Sequence, residues 1–131
     1  MAILSREAIL AASDIQEEIV PVPEWGGEVI VRGLSGTQRD QFEASVVKQK
    51  GKSTELNLKN VRAKMIALSV VDEHGNRIFS ERDVAALGAK SARALQRVWE
   101  KARELSGLSE EDVEELAKNS ESDQGDDSFS D

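Results

Sequence analysis

Residues 72–83, DEHGNRIFSERD, have the length and acidic ends of a calcium-binding loop. Such a loop takes oxygen ligands from its first, third and twelfth positions and needs glycine at the sixth. Here His74 stands at the third position, Arg77 at the sixth, and the twelfth residue is not glutamate. The segment is therefore predicted to be a turn, with Gly75 and Asn76 suited to left-handed backbone geometry. His74 is predicted to be an exposed turn residue.

Two other groupings could bind ions. Residues 33–37, GLSGT, precede a predicted helix but lack the Gly-Lys-Ser/Thr ending of a phosphate-binding loop, so they are interpreted as a helix-capping loop. The acidic residues between 110 and 115 would spread around a helix, which favours a solvated face that its N-terminal dipole stabilises. The sequence thus predicts no catalytic, cofactor-binding or metal-binding residue.

Composition narrows the chemistry further. The chain of 131 residues has no cysteine, no tyrosine and a single histidine. Thiolate catalysis, disulfides and cysteine-ligated metals are excluded, and any Ser-His-Asp scheme would have to use His74. No apolar run approaches the roughly 20 residues of a membrane span, and the N-terminus lacks the pattern of a signal peptide. We expect a non-enzymatic intracellular protein with no membrane partner.

The charge is unevenly placed. The net charge is −8, and residues 119–131 carry five acidic residues and no base, which leaves −3 for residues 1–118. A body so close to neutral is not typical of a nucleic-acid-binding protein. The acidic tail is predicted to be disordered. It could serve solubility, bind a partner through Phe129, or mark the junction to a longer product.

Residues 17–32 predict a β-hairpin. Two short runs of mostly β-branched residues flank the break Pro-Glu-Trp-Gly-Gly, a reasonable hairpin connection. Pro21 has no N–H to donate, so the first strand is predicted at the sheet edge. A lone hairpin is marginal in water, so this one must pack on the helical remainder.

Apolar periodicity and capping residues predict the helices. Ser5 could cap the first and Ser35, with Gln38 three residues on, the second. Residues 48–53 are expected to form a basic loop. The predicted helices cover about residues 4–12, 35–47, 57–70, 80–88 and 90–105, with a last one from 109.

The predicted fold class is α+β and mostly α. The hairpin of residues 17–32 packs on about four to five helices of residues 35–118, in a single domain of residues 1–118 followed by the tail of 119–131. Trp99 is predicted to be a core residue. Trp25, at the hairpin tip, either covers the sheet or projects towards a partner.

The order of these segments resembles a known family, the tail assembly chaperones of long-tailed bacteriophages. The segments that carry the likeness are VPEWGG, RGLSGTQRDQFE, VVDEHGNRIFS and DVAALGAKSARALQRVWEKARELSGL. The resemblance covers residues 3–121, and its specificity lies in the succession, since no segment is a catalytic signature.

The resemblance implies a non-enzymatic assembly factor without a cofactor. It would bind the phage tape-measure protein, keep that protein soluble, promote tail-tube polymerisation around it, and be absent from the mature virion. It would act in the cytoplasm of the infected bacterial host, with the tail-tube protein as a further partner and a homo-oligomer left open. Many members are made in two lengths by frameshifting, and this chain would be the short form.

A chaperone for amphipathic helices needs an apolar groove on a charged body. The residues expected to border it are Trp25, Val29, Val31, Phe42 and Val46. The same residues could instead be core, which is the favoured interpretation for Phe42. Two other functions stay open: a structural head-tail connector or tail-completion protein, and an acidic regulator that mimics DNA or binds a host protein.

Overall fold

The predicted hairpin forms, and it belongs to a larger sheet. A computed structural model describes residues 2–50, 53–56 and 59–108, with residues 48–50 and 53–56 described by their backbone alone. Strands β1 (Glu17–Val22) and β2 (Gly27–Arg32) pair antiparallel. A 3-10 turn, Pro23–Trp25, joins them, and Gly26 closes it with φ of 76°, a left-handed geometry that favours glycine.

A third strand extends this sheet on the far side of β2. Strand β5 (Val70–Val71) pairs antiparallel with β2, so the strand order is β1-β2-β5 and β1 lies at an edge, as Pro21 predicted. Helix α3 (Val61–Ser69) ends one residue before its predicted end, because Val70 turns to extended backbone and joins the sheet. The predicted start, residue 57, lies outside the described residues, but residues 59–60 form a turn and the helix begins only at Val61, after Asn60 with a left-handed φ of 59°.

Local capping chemistry sets the other helices as predicted. A helix of six residues, α1 (Arg6–Ala11), has Ser5 as its N-cap. Helix α2 (Gly36–Val46) begins with the complete capping box of Ser35 and Gln38. A further box of Ser80 and Asp83 opens the turn before α4 (Val84–Gly88).

The longest helix is α5 (Ala92–Leu105), and its strongly amphipathic sequence explains its place in the fold. Ser91 accepts a hydrogen bond from the backbone N–H of Ala94, and Gly107, with φ of 72°, follows the helix end. Leu95, Val98 and Trp99 are buried on one face, so the prediction that Trp99 belongs to the core is confirmed.

The prediction of a basic loop at residues 48–53 is wrong for residues 48–50 and 53, which are the described part of that range and lie in strands. Strands β3 (Val47–Lys50) and β4 (Ser53–Leu56) pair antiparallel as a second hairpin. This pairing could not be predicted from the sequence, because residues 48–50 and 53–55 are all polar. They lack the alternating apolar pattern of a half-buried strand. Backbone hydrogen bonds between neighbouring segments form without that pattern.

The core lies between the inner face of the three-stranded sheet and helices α2, α3 and α5. β1 and β2 both pack on α5, and α5 packs on α3. The fold class, α+β and mostly helical, is confirmed. The division into residues 1–118 and 119–131 stays a prediction, because residues 109–131 lie outside the described part. The main core side chains are Val20, Val22, Val31, Phe42, Val46, Met65, Ile66, Val70, Leu95, Val98 and Trp99.

Gly33, directly after β2, lies close against the C-terminal end of α5. Its N–H donates to the carbonyl of Gln16 at 2.9 Å, and the next N–H, of Leu34, donates to Ser106 Oγ at 2.9 Å. A Cβ at Gly33 would lie 2.5 Å from the carbonyl oxygen of Leu105. Because that oxygen is backbone, only a shift of the helix end could make room.

We expect Gly33→Ala to lower the free energy of unfolding by about 1–3 kcal/mol, as overpacking does. Urea unfolding followed by circular dichroism measures the change. Gly27→Ala is the matched control, since a Cβ there meets nothing within 4 Å. The control should stay within about 0.5 kcal/mol of the parent chain. Equal stabilities for the two variants would show that the contact with α5 is not tight.

Candidate protein-binding surfaces

The five side chains predicted to border a binding surface lie in different environments. Val31, Phe42 and Val46 are buried members of the core cluster, with 0%, 2% and 0% of their surfaces exposed. Phe42 packs near Trp99 with ring centroids 6.1 Å apart, which confirms the core interpretation favoured for it. These three residues are therefore core residues in this structure. Trp25 and Val29 are partly buried, and each lines a groove.

Trp25 lines a groove at the tip of the hairpin, here called the hairpin-tip groove. Its volume is about 470 Å³. The apolar floor comes from the turn before α4 and from α4 itself, and three charged side chains form the rim. The lining residues are Glu24, Trp25, Phe79, Asp83, Ala86, Leu87 and Lys90.

The hairpin tip is fixed in place by both backbone geometry and charge. Pro23 begins the 3-10 turn that presents Trp25, and Gly26 ends it in the left-handed region. Glu24 Oε2 lies 2.9 Å from Arg97 Nη2 of α5 in a partly buried ion pair. The indole is partly buried against the core cluster, and the groove is formed in this structure without a partner.

The indole N–H of Trp25 is buried and has no hydrogen-bond acceptor among the described residues. A buried N–H without an acceptor costs about 1–3 kcal/mol, and such groups are rare in folded proteins. An oxygen atom brought by a partner could accept this hydrogen bond once the groove opens slightly. The tip thus combines an apolar floor with an unused donor.

A second groove lies on the outer face of the sheet, here called the sheet-face groove. Ile19, Ile30 and Val71 form a row across β1, β2 and β5, since Ile19 pairs with Ile30 and Ile30 with Val71. The volume is about 580 Å³. Three carboxylates and His74 are the charged or titratable groups in its lining. The lining residues are Ile19, Glu28, Val29, Ile30, Val70, Val71, Asp72, Glu73, His74 and Ile78.

The sheet-face groove was missed from the sequence because the two faces of the hairpin are both apolar. Of the two valines predicted at the surface, Val31 is buried in the core, whereas Val29 is partly buried against the core and also lines this groove. Ile19 and Ile30, one position out of phase, face outward. Ile19 is 64% exposed. An edge strand with apolar residues on consecutive positions was the available signal, because such a strand has a second apolar face to cover.

The turn beside this groove is an Asp-centred turn. Asp72 Oδ1 accepts the backbone N–H of His74 at 2.8 Å and that of Asn76 at 3.0 Å. These hydrogen bonds, that of Asn76 foremost, hold the pKa of Asp72 below its usual range. His74 is exposed in this turn, as predicted.

The described part of the chain contains no cluster of three or more histidine or acidic side chains arranged to hold a metal. Within the same residues, no helix is both long and apolar enough to cross a membrane.

The family model of phage tail assembly chaperones matches residues 4–119 of the chain. This range includes the hairpin and both grooves. The chain belongs to this family. Comparison of the chain with curated proteins and with solved structures found no significant match. Membership confirms the resemblance carried by the succession of hairpin, capped helix, turn and helix pair. As a tail assembly chaperone, the protein acts with protein partners while phage tails are built.

The lowered pKa of Asp72 predicts an acid-dependent loss of stability. Because the folded-state pKa lies below the unfolded one, the carboxylate stabilises the fold above about pH 4 and loses this effect as the pH falls further. Asp72→Asn should flatten the fall in the free energy of unfolding between about pH 5 and pH 2.5. Urea unfolding across that range measures it.

The control is Glu73→Gln, which removes the adjacent carboxylate and leaves both hydrogen bonds to Asp72 in place. Its pH profile should follow that of the parent chain. Parallel profiles for Asp72→Asn and the parent chain would show that the turn does not depend on the charged carboxylate.

Proposed function

We propose that the protein binds the phage tape-measure protein, keeps its amphipathic helices soluble and promotes polymerisation of the tail tube around it. Membership of the tail assembly chaperone family supports an assembly role with protein partners. The observation that carries the finer proposal is the hairpin-tip groove, where Trp25 offers a rigid aromatic surface and an unused indole N–H.

The groove suits one turn or two of an amphipathic helix. Its floor of Phe79, Ala86 and Leu87 can receive an apolar side chain, while the rim carries both signs of charge. Helix-in-groove recognition uses apolar anchors at i, i+3 and i+4. A client side-chain oxygen at the edge of that apolar stripe would accept the hydrogen bond from Trp25.

Binding of this kind needs no covalent chemistry and no cofactor, so the proposed role is non-enzymatic. The client would be held in the cytoplasm of the infected host and released as the tube forms, and the chaperone would be absent from the finished virion. The tail-tube protein is the second proposed partner. Mass spectrometry of purified particles separates this role from that of a connector, which would remain in them.

Trp25→Ala should weaken binding of the tape-measure protein by about 30-fold or more, the usual effect of removing a central aromatic anchor. The affinity of Trp25→Phe should lie between those of the parent chain and Trp25→Ala, since phenylalanine keeps apolar area but lacks the indole N–H. The measurement is isothermal titration with purified tape-measure fragments, with thermal unfolding by circular dichroism to verify the fold.

The matched control is Asp40→Ala, an exposed position on α2 that lines neither groove. Its affinity should equal that of the parent chain. If Trp25→Ala folds normally and binds the client with parent affinity, the hairpin-tip groove is not the client site.

A further inference from the structure

The N-terminal arm, residues 2–12, carries large apolar side chains that the other described residues, 13–50, 53–56 and 59–108, leave exposed. Ile3 is 100% exposed, Leu4 63%, Ile9 56% and Leu10 69%. The arm contains α1, which has no buried residue. Helices shorter than about 12–15 residues are marginal in water on their own. A six-residue helix with an uncovered apolar face therefore gains stability only against another surface.

The sheet-face groove is an apolar surface that the described part of the same chain likewise leaves open. Ile19 and Ile78 remain 64% and 50% exposed there. Apolar patches of this kind, rimmed by polar groups, mark interaction sites in proteins. Each copy thus carries one exposed apolar arm and one exposed apolar groove, so the two surfaces occur in a one-to-one ratio.

Charge favours pairing the two. Among the described residues, the charged side chains that line the groove are Glu28, Asp72 and Glu73. The guanidinium of Arg32 lies beside the turn that carries the last two, with Nη1 3.7 Å from a Cβ placed on Gly75. The arm has one basic residue, Arg6, whose guanidinium is 78% exposed in a loose pair with Glu7 at 3.7 Å. Docking of the arm would bring Arg6 towards three carboxylates, which favours this segment over an acidic one.

The arrangement of the chain favours a second copy as the source of the arm. The chain is tied to the sheet at Gln16, whose carbonyl accepts from Gly33, and only residues 12–15 connect α1 to that point. Among the described residues of one chain, both the arm and the groove stay exposed, so the arm of the same chain does not fill the groove. A second copy can approach the groove in any direction.

We propose that the N-terminal arm of one copy docks in the sheet-face groove of a second copy. Ile9 and Leu10 lie against the row of Ile19, Ile30 and Val71, and Arg6 faces the acidic rim. Reciprocal exchange, in which each copy gives and receives an arm, closes as a two-fold pair.

This pairing is independent of the client site proposed above. The sheet-face and hairpin-tip grooves share no lining residue, so Trp25 stays accessible in the paired form. Failure of one proposal therefore leaves the other standing. Trp25→Ala should not change self-association.

Sedimentation velocity over a concentration series tests the arm and the groove separately. Leu10→Glu in the arm and Ile19→Glu in the groove should each raise the midpoint concentration of association at least about 100-fold, because each places a carboxylate in an apolar contact. Ala44→Glu, at an exposed position of α2 outside both grooves, is the control and should associate like the parent chain. A parent chain that is monomeric at all concentrations overturns the proposal.

Mixing the two variants provides the sharper test. Each variant alone lacks a productive contact, but the intact arm of the Ile19→Glu chain can dock in the intact groove of the Leu10→Glu chain. The mixture should therefore associate at lower concentrations than either variant by itself. A mixture that behaves as the average of its components overturns exchange between copies.

The chain has no cysteine, so engineered cysteines report a single contact. Chains with Leu10→Cys and chains with Ile19→Cys should form a disulfide-linked heterodimer on mild oxidation, detected by non-reducing electrophoresis. A chain with both substitutions that instead closes its own disulfide, at a rate independent of concentration, shows docking within one chain and overturns the proposal. This variant also covers the case in which Ile19→Glu fails to fold.

Discussion

The packing of the hairpin on α5 is the interaction on which the rest of the structure depends. A two-stranded ribbon is marginal in water, and here Val20, Val22 and Val31 are removed from water beneath the helix. Two ion pairs join the same elements: Lys101 with Glu18 at 2.6 Å, and the Arg97 pair at the tip. Exposed ion pairs contribute little free energy, so their main effect is to fix how the hairpin lies across the helix.

Both candidate surfaces follow from this packing. Once the inner face of the sheet is used for the core, none of the helices α1 to α5 buries the outer face, and Ile19 stays at the surface. At the same time the hairpin tip reaches beyond α5 to α4, where Trp25 meets Phe79 and Leu87. One apolar hairpin thus creates two surfaces, one along its length and one at its end.

Exposed apolar surface on a charged body suits an assembly factor of phage tails. Such a protein must hold another chain without consuming it, which needs contact area and reversibility more than a buried reactive site. The family match places the chain among proteins of this kind. The proposed client site at the hairpin tip is already formed in the structure, which would limit the ordering needed on binding. The sheet face is the surface at which we propose that two copies meet.

Part of the candidate site could be predicted from local sequence. Trp25 was placed at the hairpin tip because a Pro-Glu-Trp-Gly-Gly break between β-branched runs leaves few other arrangements, and the structure has it there. Its orphaned indole N–H could not be foreseen, since it depends on residues more than 50 positions away. Which residues of β2 reach the surface could not be predicted locally either. Val29, Ile30 and Val31 are consecutive apolar residues, so both faces of the strand carry apolar side chains.

Local sequence was sufficient to predict the elements whose causes are local: the hairpin turn, the capping box of Ser35 and Gln38, and the amphipathic face of α5. Tertiary structure alone decided the third strand at Val70, the pairing of β3 with β4, and which face of the hairpin is buried. Caps and turns involve residues three or four positions apart and are written in the local order of side chains. Strand pairing and the choice of a buried face depend on which distant segment arrives, and no local pattern of residues records that.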